Sequence, residues 1–521
     1  MVKGMDYRRV LSCLLLVAAL VLLPSQLARA AGGEAAAVAD FSERVKAAGA
    51  YAAAQLERAG VVGGVYGIVH KDRLVLANGM GTTDLRAHKT PDARTVYNAA
   101  SVTKAVTAAA VLQLEAQGLL HLDDPVRHYL PWFRFKDEAL SAKVTLRHLL
   151  LHAAGGVDSW ATDGLLFDTP DTRHRLEDYV RSLRKADMSS KPGTKAAYCN
   201  GCYNVLGLVI EQAKGMDYAD YLAENLFRPL GMTRSFYGKP PQDLPEMDLA
   251  REYFWLFTRK TELARSYAAY GASANPEGGM YTTLEDLAKF ASWQLGYAKA
   301  ASLQPSPIES EEALIASVAS GGGSSYTVGG YESELLYGSR VVHKGGDGIG
   351  TATFLMLLPE QELGVLLLIG EHRPEIQKPI AMGMAGILLG EEAEPIAVRG
   401  TFGYLMGWAA IALAGGGAML LLFLIRSLSR FGLRDRHPRR SLFFVMLSGL
   451  PAACIWYAFA FIRPSGVFFY GYPYDIAIGG ALLGFGLTLW SFYLSMKVIV
   501  SLSRRRKRVE GGLAIMMENE T

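Results

Sequence analysis

Cysteine is scarce in this chain: there are four in 521 residues. Cys13 lies early in the first apolar run and Cys454 inside a later one, leaving Cys199 and Cys202 in polar sequence. Two such ligands without nearby partners make a poor zinc site. They also lack the βαβ setting of a thioredoxin-type redox pair. They are a local structural disulfide or two free thiols, and the sequence does not choose. Cys13 comes before the apolar core of its segment, which excludes a lipid-attachment cysteine there. Charge of one sign is lacking as well. The net charge is +3, and no basic patch interleaved with aromatics is present, so a nucleic-acid partner is not expected. There are no internal repeats.

Long apolar runs, by contrast, are plentiful. Val10–Leu23 follows Lys3, Arg8 and Arg9 and precedes Ala28-Arg29-Ala30. This reads as a secretory signal over residues 1–30, cleaved after Ala30 or kept as an anchor. Residues 31–40 form a small-residue linker. Three further runs, 402–425, 442–462 and 476–500, are each long enough to cross a bilayer. Arg426, Arg430, Arg434, Arg436, Arg439 and Arg440 join the first two, and Arg504–Arg508 follow the third. Arg463 is the one basic residue between the second and third. The positive-inside rule makes both Arg-rich segments cytoplasmic, including a tail over 501–521, and everything before residue 401 extracytoplasmic. The expected partner of the 401–500 region is thus a lipid bilayer.

Between signal and spans, residues 41–395 read as one α+β domain with a sizeable core. Strand patterns at Val65–Val69 and Leu74–Ala77 flank a polar turn, and strands return at Ser339–His343, Ala352–Leu358 and Gly364–Ile369. From Ser101 to about Leu295 the periodicity is mostly helical. Strands from both ends then pair into an antiparallel sheet with the helical region on one side. Ser302–Tyr331, with its run of glycine and serine, reads as a long surface loop.

Within this domain Tyr97-Asn98-Ala99-Ala100-Ser101-Val102-Thr103-Lys104 runs straight into an Ala/Val-rich helix. Residues three apart on a helix share a face, so the Lys104 amine reaches the Ser101 hydroxyl. A serine becomes a nucleophile when a neighbouring base takes its proton, and a lysine serves as that base where burial lowers its pKa. Ser-x-x-Lys alone is a weak signal: about one or two chance matches are expected in a chain this long. Ser182-Leu183-Arg184-Lys185 is such a match, in a segment full of charges that reads as a solvated surface. The structural alternative for Ser101 is a helix N-cap.

A Ser/Lys pair also needs a proton relay and oxyanion donors. Tyr198-Cys199-Asn200 precedes a helix, and His343-Lys344-Gly345-Gly346 ends a strand. His148 and His152 stand four apart, at the spacing of a metal pair. Asp123-Asp124 before Pro125 reads as a cap or turn, and Asn275–Gly279 either as a border of the cleft or as a plain loop.

These elements, with Leu119–Val126, Val144–His152 and Gly278–Thr283, occur in one order over more than 200 residues. In that order the sequence resembles the class C β-lactamase and D-alanyl-D-alanine carboxypeptidase-like serine hydrolases over roughly Ala50–Gly390. The resemblance implies that Ser101 is the acylated nucleophile and that Lys104 and Tyr198 share acid–base work. It implies that Asn200 contacts the substrate's acyl-side amide, and that His343 biases the tyrosine's proton or orients a carboxylate beside Gly345. The N–H groups of Ser101 and Gly346 would form the oxyanion hole, worth about 100- to 1000-fold per donor. It gives the His148/His152 segment a structural role and implies no metal or organic cofactor.

The layout also resembles membrane-tethered peptidases that mature natural-product prodrugs by removing an N-acyl-D-asparagine cap, which suits a substrate delivered by an exporter. The expected activity is therefore acyl-enzyme hydrolysis of a small-molecule or peptide substrate containing a D-residue. The alternatives are a cell-wall carboxypeptidase, an esterase, a β-lactamase or a non-catalytic ligand-binding sensor.

Overall fold

A computed structural model describes residues 40–157, 175–238, 240, 242, 245, 248–256, 258–263, 275–297, 303, 317–321, 324–396, 401–431, 438–462 and 474–518. The signal assigned to residues 1–30, and the linker up to residue 39, lie outside them.

The sheet is α+β in the expected sense, and it is larger than expected. Helix α1 spans residues 40–58 and leads into β1 (Gly63–His70) and β2 (Arg73–Gly81). After the helical region come β3 (Ser317–Gly321), β4 (Ser324–Thr327), β5 (Glu332–Leu336), β6 (Ser339–Asp347), β7 (Ala352–Leu358) and β8 (Leu363–Ile369). They form one antiparallel sheet in the order β2-β1-β8-β7-β6-β5-β4-β3. Sequence-distant β1 and β8 pair from Gly64↔Ile369 to His70↔Leu363, which closes the two ends of the domain on each other. The expected loop over Ser302–Tyr331 is corrected in part, since its second half supplies β3 and β4.

The expectation of helices on one side is also corrected. One core lies between the sheet and the helical region, built on Val102, Val106, Val111, Leu114, Leu355 and Leu366. A second covers the other face, where Ala48, Ala52 and Leu56 of α1 meet Ile376, Ile380 and Met384 of α4 (Pro374–Leu389). Strands covered on both faces have no polar side to show. That is why β7 (ATFLMLL) and β8 (LGVLLLI) read as continuous apolar runs and are buried throughout.

Helix α2 (Thr103–Ala116) runs through the middle of the first core, with Thr103 to Val111 all buried. Helix α3 (Asn200–Lys214) packs beside it, and the short Asn275–Gly278 helix touches both. Thr107 of α2 donates to the Pro276 carbonyl at 2.6 Å. Gly207 of α3 faces the ring of Pro276, where an added Cβ would lie 2.1 Å from its Cγ.

The three C-terminal apolar runs are all helical: α5 (Thr401–Phe431), α6 (Pro438–Ile462) and α7 (Tyr474–Glu518). Among the described residues two stretches, Gly407–Ser429 and Gly480–Glu510, are long and apolar enough to cross a membrane, whereas α6 contributes the shorter Leu447–Trp456. Helix α7 packs on both neighbours. At its crossing with α5, Gly417 lies against the Leu482 carbonyl and Gly486 against that of Gly417, leaving no room for a Cβ at either glycine.

Because proline at 276 cannot retreat without moving the turn that holds it, Gly207→Ala should lower the melting temperature by several degrees, consistent with an overpacking cost of about 1–3 kcal/mol. Thermal melts followed by circular dichroism check this.

Candidate active site

The turn that carries Ser101 is held before any catalytic group is considered. Ala99 N–H donates to the Met280 carbonyl at 2.8 Å. The Asn98 and Ala99 carbonyls accept from Thr351 and Thr353 hydroxyls at 3.1 and 2.7 Å. Ala100, just before the serine, has φ 44°, a left-handed conformation that costs a residue with a Cβ about 1–3 kcal/mol. Ser101 follows in a short 3-10 turn, and its side chain does not cap α2. Its Oγ instead accepts from Lys104 Nζ at 3.1 Å and from the Tyr198 hydroxyl at 2.8 Å. The N-cap alternative is thereby excluded. The decoy behaves as a surface serine, since Ser182 donates to the Tyr179 carbonyl one turn back.

Lys104 is fully buried on α2 and donates also to the Glu277 carbonyl at 2.7 Å. Ser101, Lys104, Tyr198 and Asn200 all line one cleft of about 270 Å³. Asn200 opens α3, whose N-cap is Cys199, and Cys199 and Cys202 are joined as a disulfide. The open choice between paired and free thiols thus resolves to a bridge whose first cysteine stands between the motif residues Tyr198 and Asn200.

His343 does not reach the cleft. Side chains alternate along β6. His343 lies on the far face, its ring 5.3 Å from that of Phe354 and its Nε2 2.5 Å from Glu334. Lys344 takes the cleft position, 1% exposed, with its ammonium 4.7 Å from the Tyr198 ring centroid. Burial lowers its pKa to about 8, against the opposing pull of Glu332. The expectation for His343 is therefore corrected by one residue.

The same shift applies to Gly346. Gly348 N–H donates to the Thr351 carbonyl at 3.0 Å, and β6 and β7 keep one register back to Val342↔Leu357. In an antiparallel pair alternate residues turn their N–H groups to the same neighbour. Counting back by twos, Gly346 and Lys344 point theirs into β7, whereas Gly345 and Asp347 point theirs to the other edge. That edge is open beyond His343, where pairing with β5 stops. Gly346 serves closeness instead: a Cβ there would lie 2.3 Å from the Ala99 oxygen and 3.2 Å from Ser101 N.

Glu277, in the segment expected to border the cleft, is one of its acidic lining residues. It is 3% exposed, accepts from Asn204 Nδ2 at 3.4 Å, and burial raises its pKa to about 7 against the pull of Lys104. Glu332, Asp347, Pro374 and Gln377 also line the cleft. His148 and His152 diverge. The first completes a capping box with Thr145, and the second accepts from Cys199 N–H through Nδ1 at 3.0 Å. Asp123 pairs with Arg147 at 2.8 Å and Asp124 accepts from Tyr129 at 2.8 Å, both structural uses. No cluster of three metal-ligating acidic, His or Cys side chains occurs among the described residues.

A sheet with helices on both faces, and a serine and lysine one turn apart at the mouth of a buried helix, define the penicillin-recognising class of serine hydrolases. The chain belongs to the β-lactamase family, whose model, described as Beta-lactamase, matches residues 45–377. It is similar to protein flp of Staphylococcus aureus strain N315, with 24% identity over 324 residues, 62% of either chain. It thus spans 62% of the length of that relative. It is also 29% identical over 200 residues to penicillin-binding protein 4 of Amycolatopsis lactamdurans, covering 38% of this chain and 51% of that one. In fold it is similar to the octameric penicillin-binding protein homologue from Pyrococcus abyssi, with a TM-score of 0.56 and 24% identity over 71% of this chain and 81% of that one.

The Glu277 carboxyl has a testable cost. Its pKa is raised on folding to about 7, so its contribution to stability falls as pH rises from its unfolded value near 4.5, and its full cost is reached above about 7. Glu277→Gln should raise the melting temperature at pH 8, with the gain vanishing toward pH 4.5.

Proposed function

We propose that this protein is a membrane-anchored serine hydrolase acting through an acyl-enzyme at Ser101. The observation that carries the reading is the Ser101 Oγ, which accepts at once from Lys104 at 3.1 Å and Tyr198 at 2.8 Å. In the reaction Oγ attacks a substrate carbonyl while its proton passes to the Lys104/Tyr198 pair. The tetrahedral oxyanion is met by Ser101 N–H and, from the open edge of β6, Asp347 N–H. Collapse expels the amine or alcohol, which takes the proton. Water then attacks the ester carbon as it gives a proton to the Lys104/Tyr198 pair, and the pair protonates Oγ as the carboxylic acid departs. Although Tyr198 is 39% exposed, desolvation in the cleft raises its phenol above the usual tyrosine range, which suits a hydroxyl relay that is protonated at rest.

Asn200 would hold the acyl-side amide, and Gly345 leaves the open edge accessible to an extended substrate. Lys344 takes the part first expected of His343, biasing the tyrosine's proton and orienting an acceptor group of the substrate. The substrate class proposed is a peptide amide with a D-configured residue, of prodrug or cell-wall type, brought to the outer membrane surface by an exporter. The anchor proposed is three spans, with the hydrolase outside the cytoplasm. Two apolar helices of spanning length and the arginines flanking all three support that topology.

A fluorescent fluorophosphonate should label the wild type and leave Ser101→Ala unlabelled; equal labelling of both would sink the reading. Lys104→Met should slow turnover by at least about 100-fold. A panel of N-acyl-D-Asn peptides, D-Ala-D-Ala peptides, p-nitrophenyl esters and a chromogenic cephalosporin then ranks the substrate classes. Because Lys344 loses its charge above about pH 8, kcat/KM should fall there, and Lys344→Arg should move that limb to higher pH. A profile unchanged by the substitution would remove Lys344 from the reaction.

A further inference from the structure

His152 is held in an unusual way for a residue with no part in the chemistry above. It is 1% exposed and has φ 53°, a left-handed backbone in a residue with a full side chain. Its Nε2 is buried with no hydrogen-bond partner. An orphaned buried donor and a left-handed backbone each cost about 1–3 kcal/mol. Such costs persist where the surroundings impose them, and here they converge on the general acid–base residue.

Two hydrogen bonds grip the chain on either side of Tyr198. Ala197 N–H donates to the His152 carbonyl at 2.8 Å, and Cys199 N–H donates to His152 Nδ1 at 3.0 Å. Between these two bonds, the His152 ring lies 4.5 Å from the Tyr198 ring, centroid to centroid. The left-handed turn at 152 lets one residue present its carbonyl and its ring to the same segment. On its other sides the imidazole meets the rings of Tyr203 and Tyr326 at 5.1 and 4.7 Å.

Building on the serine-hydrolase reading, we propose that His152 is a positioning residue that clamps Ala197–Cys199 and thereby sets the Tyr198 hydroxyl on Ser101. The clamp works only with neutral imidazole, since Nδ1 must accept and the ring proton must sit on Nε2. Burial, with the Lys344 and Lys104 cations nearby, keeps it so by holding its pKa well below the usual histidine range. A charged ring would lose the Cys199 bond and release the segment.

Asparagine is the informative replacement: it tolerates the left-handed region, and its Oδ1 can accept where Nδ1 does. With p-nitrophenyl acetate as substrate, His152→Ala should lower kcat by about 100-fold, the loss typical of a misplaced catalytic group, with KM within about twofold. His152→Asn should recover at least about tenfold of that, and His152→Gln should not. In a Tyr198→Phe background His152→Ala should add little, because the two act through one step. An equal loss in that background, or Asn no better than Gln, would overturn the proposal, and the Asn/Gln comparison stands even where the alanine variant does not fold. If the wild type hydrolyses no ester and takes no fluorophosphonate, the underlying reading fails instead, which the Ser101→Ala control separates from a failure of the clamp.

Discussion

The close apposition of the Ser101 turn and the sheet is the constraint on which the rest of the site depends. Gly346 has no side chain where the Ala99 carbonyl and Ser101 N come down on β6, and Thr351 and Thr353 hold the Asn98 and Ala99 carbonyls from the next strand. Ser101 is thus referenced to the sheet, whereas Lys104 belongs to α2 and Tyr198 to the segment before α3. One small residue in β6 allows the two halves of the domain to meet at bonding distance. The left-handed Ala100 is the local cost of that meeting.

Charge is arranged with the same economy. Two buried lysines approach the tyrosine ring, Lys104 at 5.0 Å and Lys344 at 4.7 Å from its centroid. In a low-dielectric cleft these cations act more strongly than at a surface. They are tempered by Glu277 from within and Glu332 from the rim. The burial that lowers the pKa of Lys344 also raises that of Glu277, so charged and neutral forms of both are accessible near neutral pH.

Much of this was legible in the sequence, and the exceptions have identifiable physical causes. Ser101, Lys104, Tyr198 and Asn200 could be found because a serine one turn before a lysine on an apolar helix, and a tyrosine just before another helix, are local patterns. His343 misled because both faces of β6 are covered, so Val341 and Val342 are equally apolar and the alternation that would tell the faces apart is absent. Only the pairing with β7 shows that Lys344, and not its neighbour, faces the serine. Gly346 misled for the same reason, since the direction of an N–H group is a property of register. Strands β3 and β4 were hidden by the glycines and serines around them. The Asn275–Gly279 segment was legible as a border of the cleft, but the burial of Glu277 within it follows from packing between α2 and α3.

Helix α2 is enclosed from Thr103 to Val111, with the sheet on one side and α3 and the Asn275–Gly278 turn on others. Amides in such an element exchange with solvent only when the whole domain opens. Lys104 therefore rides on a stretch of helix buried at every position from Thr103 to Val111, and freeing it requires opening the core around it. Any give in the cleft falls instead to part-exposed lining residues such as Glu332 and Pro374, while Lys104 keeps a single setting for as long as the chain is folded.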